Sequence, residues 1–226
     1  MARNQLRSGV LLSYLNLVIS FVIPFAYTPL MLRMLGQAEY GLYSLSNSVI
    51  SCLSLLSFGF GSTIVRYIAK YRAQGDRKAE EECFGFFLTL YGILGLLVMA
   101  GGVTLSANAG GIFAKGLTGA EIGKMRTLTL IMAFNTALSF PLSVFASIAI
   151  AHERYFFRKI MDMVSTVAAP LANLVALYLG FASVGMALAA TIVQFALAPI
   201  SVGYCFRELK LKPRFVRMPG SLIREM

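Results

Sequence analysis

The sequence predicts an all-α integral membrane protein with six transmembrane helices, and three observations carry that reading. Six long apolar segments, roughly 10–32, 41–64, 84–106, 127–149, 161–179 and 184–204, follow one another along the 226 residues. Each is long enough to cross a hydrocarbon core ~30 Å thick. The chain is 58% hydrophobic and only 13% charged, with a mean hydropathy of +0.73. A soluble domain carries about a quarter charged residues, so there is too little polar surface here to clothe a water-soluble body. The third observation is the uneven distribution of the 20 Lys and Arg residues between the apolar segments.

If the N-terminus is cytoplasmic, one side receives Arg3, Arg7, Arg66, Lys70, Arg72, Arg77, Lys78, Arg154, Arg158, Lys159, Arg207, Lys210, Lys212, Arg214, Arg217 and Arg224. The other receives only Arg33, Lys115, Lys124 and Arg126. Short loops rich in Lys and Arg stay inside, so both termini are expected in the cytoplasm. The net charge of +10 then faces anionic membrane lipid, and no nucleic-acid partner is expected. Arg3 and Arg7 before an apolar run resemble a signal peptide. The run is too long for one and contains Pro24 and Pro29, so an uncleaved first span is expected. The chain has no tryptophan, so an aromatic belt would fall to Tyr40, Tyr43, Tyr67, Tyr71, Tyr155 and Tyr204 near the span ends.

The spans are not plain anchors. The first holds Tyr14, Asn16, Pro24 and Pro29, and each proline removes a backbone donor and bends a helix. The second holds Ser44, Ser46, Asn47, Ser48, Ser51, Ser54 and Ser57, several on one face by their spacing of three or four. Small hydroxyl residues serve close helix packing as well as cavities, and both readings stay open. Gly59 and Gly61 near its end allow flexibility or close contact. The third span is polar only at Thr89 and Tyr91. The fourth carries Asn135, Thr136, Ser139 and Pro141, the fifth Ser165, Thr166, Pro170 and Asn173, and the sixth Thr191, Gln194 and Pro199. Prolines beside polar groups suit helices that face protein or a cavity. The connection 107–126, with Gly110, Gly111, Gly116 and Gly119, has room for a short interfacial helix.

Five residues are candidate cavity or substrate-binding groups: Arg33, Arg66, Asn16, Asn47 and Asn135. Arg33 and Arg66 end the first two spans. An Arg near hydrocarbon must pair, snorkel or face water, and its fork matches a phosphate with two charge-assisted bonds. An anchor to the interface is the plainer role. Asp162 is expected to pair with Arg158 or Lys159 on its own helix. Glu80, Glu81 and Glu82 are expected to form a solvated helix entry beside Arg77 and Lys78.

Enzyme chemistry finds no footing. The chain has one histidine, His152, without a ligand partner at metal spacing. Cys52, Cys83 and Cys205 are scattered and imply no disulfide framework or metal site. No phosphate loop or nucleophile triad is present. No catalytic residue, metal or cofactor is expected.

The run PLMLRMLGQAEYGLYSLSNSVISCLSLLSFGFGSTIVRYIAKYRAQGD resembles the start of the polysaccharide and O-antigen flippases of the multidrug/oligosaccharidyl-lipid/polysaccharide exporter superfamily. The telling residues are Leu35, Gly36, Glu39, Tyr40 and Gly41. Next come the Phe- and Gly-rich end of the second span and Arg66, Tyr67, Ile68 and Ala69. Looser likeness continues through AHERYFFRKI and the last two spans. The resemblance implies the N-terminal lobe of a MATE-like fold, with 1–206 as the six-helix lobe. Residues 207–226 would be a basic cytoplasmic tail or a link to a second lobe. It also implies a bacterial inner-membrane location and translocation of a polyprenyl-pyrophosphate-linked oligosaccharide. Family members have twelve to fourteen spans. A truncated chain lacking its second lobe is therefore expected, or a half transporter completed by a second copy. A multidrug or small-solute exporter lobe, and a non-transporting scaffold subunit, are the alternatives.

Overall fold

A computed structural model describes the backbone of residues 2–55, 60–113 and 116–215, with side chains from residue 13 except that of Phe60. Ser57, Gly59, Lys115, Arg217 and Arg224 lie outside the described residues, as do the side chains of Arg3 and Arg7. The regular structure is helical throughout the described residues: α1 (Ala2–Ser54), α2 (Phe60–Gln74), α3 (Arg77–Phe113), α4 (Gly119–Ala151), α5 (Tyr155–Tyr178) and α6 (Ala182–Arg207). Five of them, all but α2, are long and apolar enough to cross a membrane.

α1 carries the first apolar segment and most of the second. A single residue divides its two arms: Gly36 leaves helical geometry at φ 77° and ψ 166°. That region of backbone space is open to glycine and strained for residues with a Cβ. Within the second segment, α1 ends at Ser54 and α2 begins at Phe60. α2 is amphipathic, burying Ile64, Tyr67 and Ile68 while Arg66 and Lys70 stay exposed.

The expected 107–126 connection is shorter in the structure. α3 continues through Gly110 and Gly111 to Phe113, and α4 starts at Gly119. The α4 start is written locally as a capping box. Glu121 donates its backbone N–H to Thr118 Oγ1, and the Glu121 carboxylate accepts the Thr118 N–H at 2.8 Å.

α3 and α4 pack most intimately. A Cβ on Gly102 would collide with the Cβ of Ala133, and one on Gly95 would lie 2.5 Å from the Ala137 carbonyl oxygen. Small residues let the two backbones approach where lipid supplies no hydrophobic drive for association. Pro141 contributes too: lacking an N–H, it cannot close the helical bond to Ala137 O four residues back. That carbonyl faces the gap left by Gly95.

The largest buried cluster joins α2, α3 and α4 at the basic end, through Ile64, Tyr67, Phe84, Phe87, Phe145 and Ile148. Phe84 and Phe145 meet edge to face at 5.4 Å. The expected tyrosine belt is therefore only partly a belt. Tyr67 is buried and stacked on Tyr71, Tyr204 stacks on Phe157 at 3.8 Å, and Tyr155 is exposed. Tyr67 shares the inward face of α2 with Ile64 and Ile68, which draws it into the core.

The acidic entry to α3 is not wholly solvated either. Glu80 is buried against His152. Asp162 does pair on its own helix, 2.8 Å from Arg158 Nη2.

Candidate functional site

The second arm of α1, α4 and α6 all start at the end of the bundle opposite the basic loops, and all run the same way. Between them lies a half-open recess of about 130 Å3. Its lining is Tyr43, Asn47 and Ile50 from α1, Met132, Asn135 and Thr136 from α4, and Ala187 and Ala190 from α6. Helical spacing explains the set, because residues three and four apart share a face. The two alanines of α6 make the room.

Asn135 is held in place. Its Nδ2 donates to Thr191 Oγ1 at 3.1 Å, and its backbone carbonyl accepts from Gln194 Nε2 at 3.3 Å. Thr191 in turn donates to Ala187 O at 2.8 Å. With Nδ2 engaged, the amide oxygen is the acceptor that Asn135 has left to offer. Asn47 brings a second amide, and Tyr43 a phenol. The recess holds about four waters at ~30 Å3 each. It is smaller than the ~300 Å3 of the smallest ordinary ligand pockets. Its chemistry is neutral: amides and hydroxyls that exchange hydrogen bonds with water or sugar hydroxyls.

Above the recess, three charged or polar side chains tie the same three helices together. Glu39 pairs with Lys124 Nζ of α4 through one oxygen. Through the other it accepts from Ser183 Oγ of α6 at 2.5 Å. Ser183 is fully buried. Burial pushes the Glu39 carboxyl up, but the bonds from Lys124 and Ser183 outweigh it and hold it below the usual carboxylate range. Ser183 lies in the first turn of α6, where the helix dipole also favours an anion.

Of the five residues singled out in the sequence, Asn47 and Asn135 meet in the recess. Arg33 and Arg66 are exposed and do not line it. Asn16 is half-buried on the first arm of α1, its Oδ1 without a hydrogen-bond partner. Sequence reasoning missed Tyr43 and Thr136 in the lining and the clip at Glu39. The signal for Tyr43 was its place one turn from Asn47. Three serines of the second segment bond their own helix: Ser48 to Ser44 O, Ser51 to Asn47 O and Ser54 to Ser51 O. Among the described residues, no group of three or more His, Cys, Asp or Glu side chains could hold a metal ion.

Residues 6–226 match the family described as polysaccharide biosynthesis protein. The chain belongs to that family. Solved structures add the fold. A MOP superfamily transporter from Pyrococcus furiosus matches with a TM-score of 0.72 at 15% identity, covering 96% of this chain and 49% of that one. A MATE protein in complex with MaD3S matches at 0.68 and 16% identity, covering 96% and 50%. A MATE protein in complex with MaL6 matches at 0.62 and 17% identity, with the same coverage. The polysaccharide biosynthesis chain thus has the all-α, membrane-spanning fold of the N-terminal half of MATE-like transporters. It spans about half the length of the solved transporters it matches. No match was found among curated proteins.

Proposed function

We propose that the chain forms one lobe of a transporter that flips a polyprenyl-pyrophosphate-linked oligosaccharide across a bacterial inner membrane, with both termini in the cytoplasm. The observation that carries this reading is family membership over nearly the whole chain, joined to a recess whose groups match sugar hydroxyls. A pyrophosphate-linked sugar cannot cross hydrocarbon bare, because its polar groups would lose their hydrogen bonds to water. The headgroup passes through a hydrated cleft while the polyprenyl tail stays in lipid. The recess is too small for the whole headgroup, so it serves as a side wall of a cleft completed by a second lobe or a second copy. Rocking of the two lobes then exposes the cleft to each side in turn. Arg33 and Arg66 are the groups for the pyrophosphate, being exposed cations near the two ends of the membrane-spanning region.

Reconstitution tests this directly. Vesicles containing the chain and its partner lobe should transfer a pyrophosphate-linked oligosaccharide lipid between leaflets. The chain alone should transfer little. Unchanged transfer by the Arg33→Ala, Arg66→Ala double variant removes the arginines from substrate binding. Efflux of small cationic compounds with no lipid transfer overturns the flippase reading itself in favour of an exporter lobe.

A further inference from the structure

The buried face of the α3 entry carries a titratable pair that the proposed transport does not use. The Glu80 side chain is 8% exposed and the His152 side chain 13%. His152 Nε2 stands 3.1 Å from Glu80 Oε1. That is an ion-pair distance without the alignment of a hydrogen bond, and Glu80 Oε1 has no hydrogen-bond partner. His152 Nδ1 lies 3.1 Å from the Ile148 carbonyl oxygen. A carbonyl only accepts, so Nδ1 carries a hydrogen. In a neutral imidazole, Nε2 then has no hydrogen, and a buried carboxylate oxygen stands 3.1 Å from a second acceptor with no donor between them. One further proton removes the conflict, whether it sits on Nε2 or on Oε1.

The neighbouring charges are engaged elsewhere. Arg72 of α2 donates through Nη1 to Ala151 O at 3.1 Å and stands 3.9 Å from Glu153. Arg77 and Glu81 of α3 pair at 3.7 Å. Arg154 at the head of α5, and Lys210 and Arg214 after α6, have exposed side chains. Cys83, one turn along α3, is buried and feels the Glu80 charge. The proton therefore falls to the pair.

The same turn of α3 anchors the segment that follows α6. The Arg214 N–H donates to Glu81 O at 3.0 Å, and Arg77 Nη2 donates to Lys210 O at 2.5 Å. Leu211 is buried with Cys83, Phe84 and Cys205. Gly85 has no room for a Cβ under the Arg214 backbone. Residues 208–215 thus lie as a strap over the α3 entry. Glu80 points to α4, and its chain neighbour Glu81 receives the strap.

We propose that Glu80 and His152 form a buried proton-binding site whose proton keeps the α3 entry seated on α4 and, through it, the strap seated on α3. Acidification holds the strap down. As pH rises the proton leaves, the two acceptors repel, and the strap lifts.

The test uses the full chain in detergent. Tryptic cleavage after Lys210 and Arg214 reads strap release, normalised at each pH to an unfolded peptide of the same sequence. Wild-type cleavage should rise about tenfold from the acidic to the alkaline end of the series, in proportion to the open population. His152 is the only histidine, so its imidazole nitrogens give one NMR titration, which should share the cleavage midpoint. Glu80→Gln decides the matter. Its amide donates to a neutral Nε2 without any added proton, so the strap should stay protected at both ends. His152→Ala should leave it open at both. Flat wild-type cleavage overturns the proposal, and so does a Glu80→Gln chain that keeps the wild-type pH dependence. If His152→Ala does not fold, Glu80→Gln and the imidazole titration still decide.

Discussion

Replacing Glu39 should loosen one end of the bundle by a predictable amount. Glu39→Ala strips the Ser183 hydroxyl of its partner at a fully buried site. A buried polar group left unpaired costs about 1–3 kcal/mol. Lys124 is half exposed and turns to water, so the lost ion pair adds only ~0–1 kcal/mol. The sum is about 1–4 kcal/mol, which in a chain of this size lowers Tm by roughly 2–16 °C. Glu39→Gln keeps an oxygen for Ser183 and loses the charge, so it should cost about 1 kcal/mol. The chain lacks tryptophan, so unfolding is best followed with a dye that reacts with Cys83 and Cys205, both buried. The folded carboxyl is held below its usual value, so its contribution is present above the unfolded pKa of about 4.3. It is lost only as pH falls through the lower folded value. The wild-type advantage over Glu39→Gln should therefore hold at neutral pH and close in strong acid. A Glu39→Ala chain that unfolds at the wild-type temperature refutes the reasoning, as does one no less stable than Glu39→Gln.

Three other outcomes follow from single contacts. Gly102→Ala places a Cβ against Ala133 and should cost about 1–3 kcal/mol by overpacking. Adding Ala133→Gly should recover most of it, a non-additivity that a double-mutant cycle in thermal unfolding reads. Gly36→Ala meets no neighbour within 4 Å, so its loss of about 1–3 kcal/mol comes from backbone strain alone, at a φ, ψ pair essentially confined to glycine. A Gly36→Asn chain should lose about as much in the same assay, because Asn eases only the left-handed helical region. Asn135→Leu removes the amide held by Thr191 and fills the recess with methyls. Reconstituted transfer should fall about tenfold, the effect of ~1.4 kcal/mol of lost binding, while Arg66→Lys leaves the recess untouched.

Much of the architecture was legible because lipid is a demanding solvent. Apolar length and loop charge alone foretold six spans, since unsatisfied backbone is barred from hydrocarbon. What stayed hidden were contacts between elements far apart in the chain. Gly36 lies between the first two apolar segments, where nothing in the pattern marks it as the one strained residue between helical arms. Glu80 read as solvated because its neighbours are charged. Its burial is set by His152, seventy-two residues away, a distance that no local pattern encodes. Asn47 and Asn135 were each visible as polar residues in apolar spans. Their meeting depends on the register of α1 against α4.

That register has a physical source at one end of the bundle. Along α1, Glu39, Tyr43, Asn47 and Ile50 fall on one face. Lys124, Leu128, Met132 and Asn135 do so along α4, and Ser183, Ala187, Ala190 and Gln194 along α6. The first member of each row is a member of the clip, and the recess lies about one to three turns below it. Because the helices run the same way from the clip, fixing the top row fixes which residues face one another further down. Leu42 and Ile50 packing against Leu128, Met132 and Ala187 carry the alignment between clip and recess. The residues at Leu35, Gly36, Glu39 and Tyr40 that carry the family resemblance lie outside the recess. They turn the chain at Gly36 and pin the second arm of α1 at the height that brings Asn47 opposite Asn135.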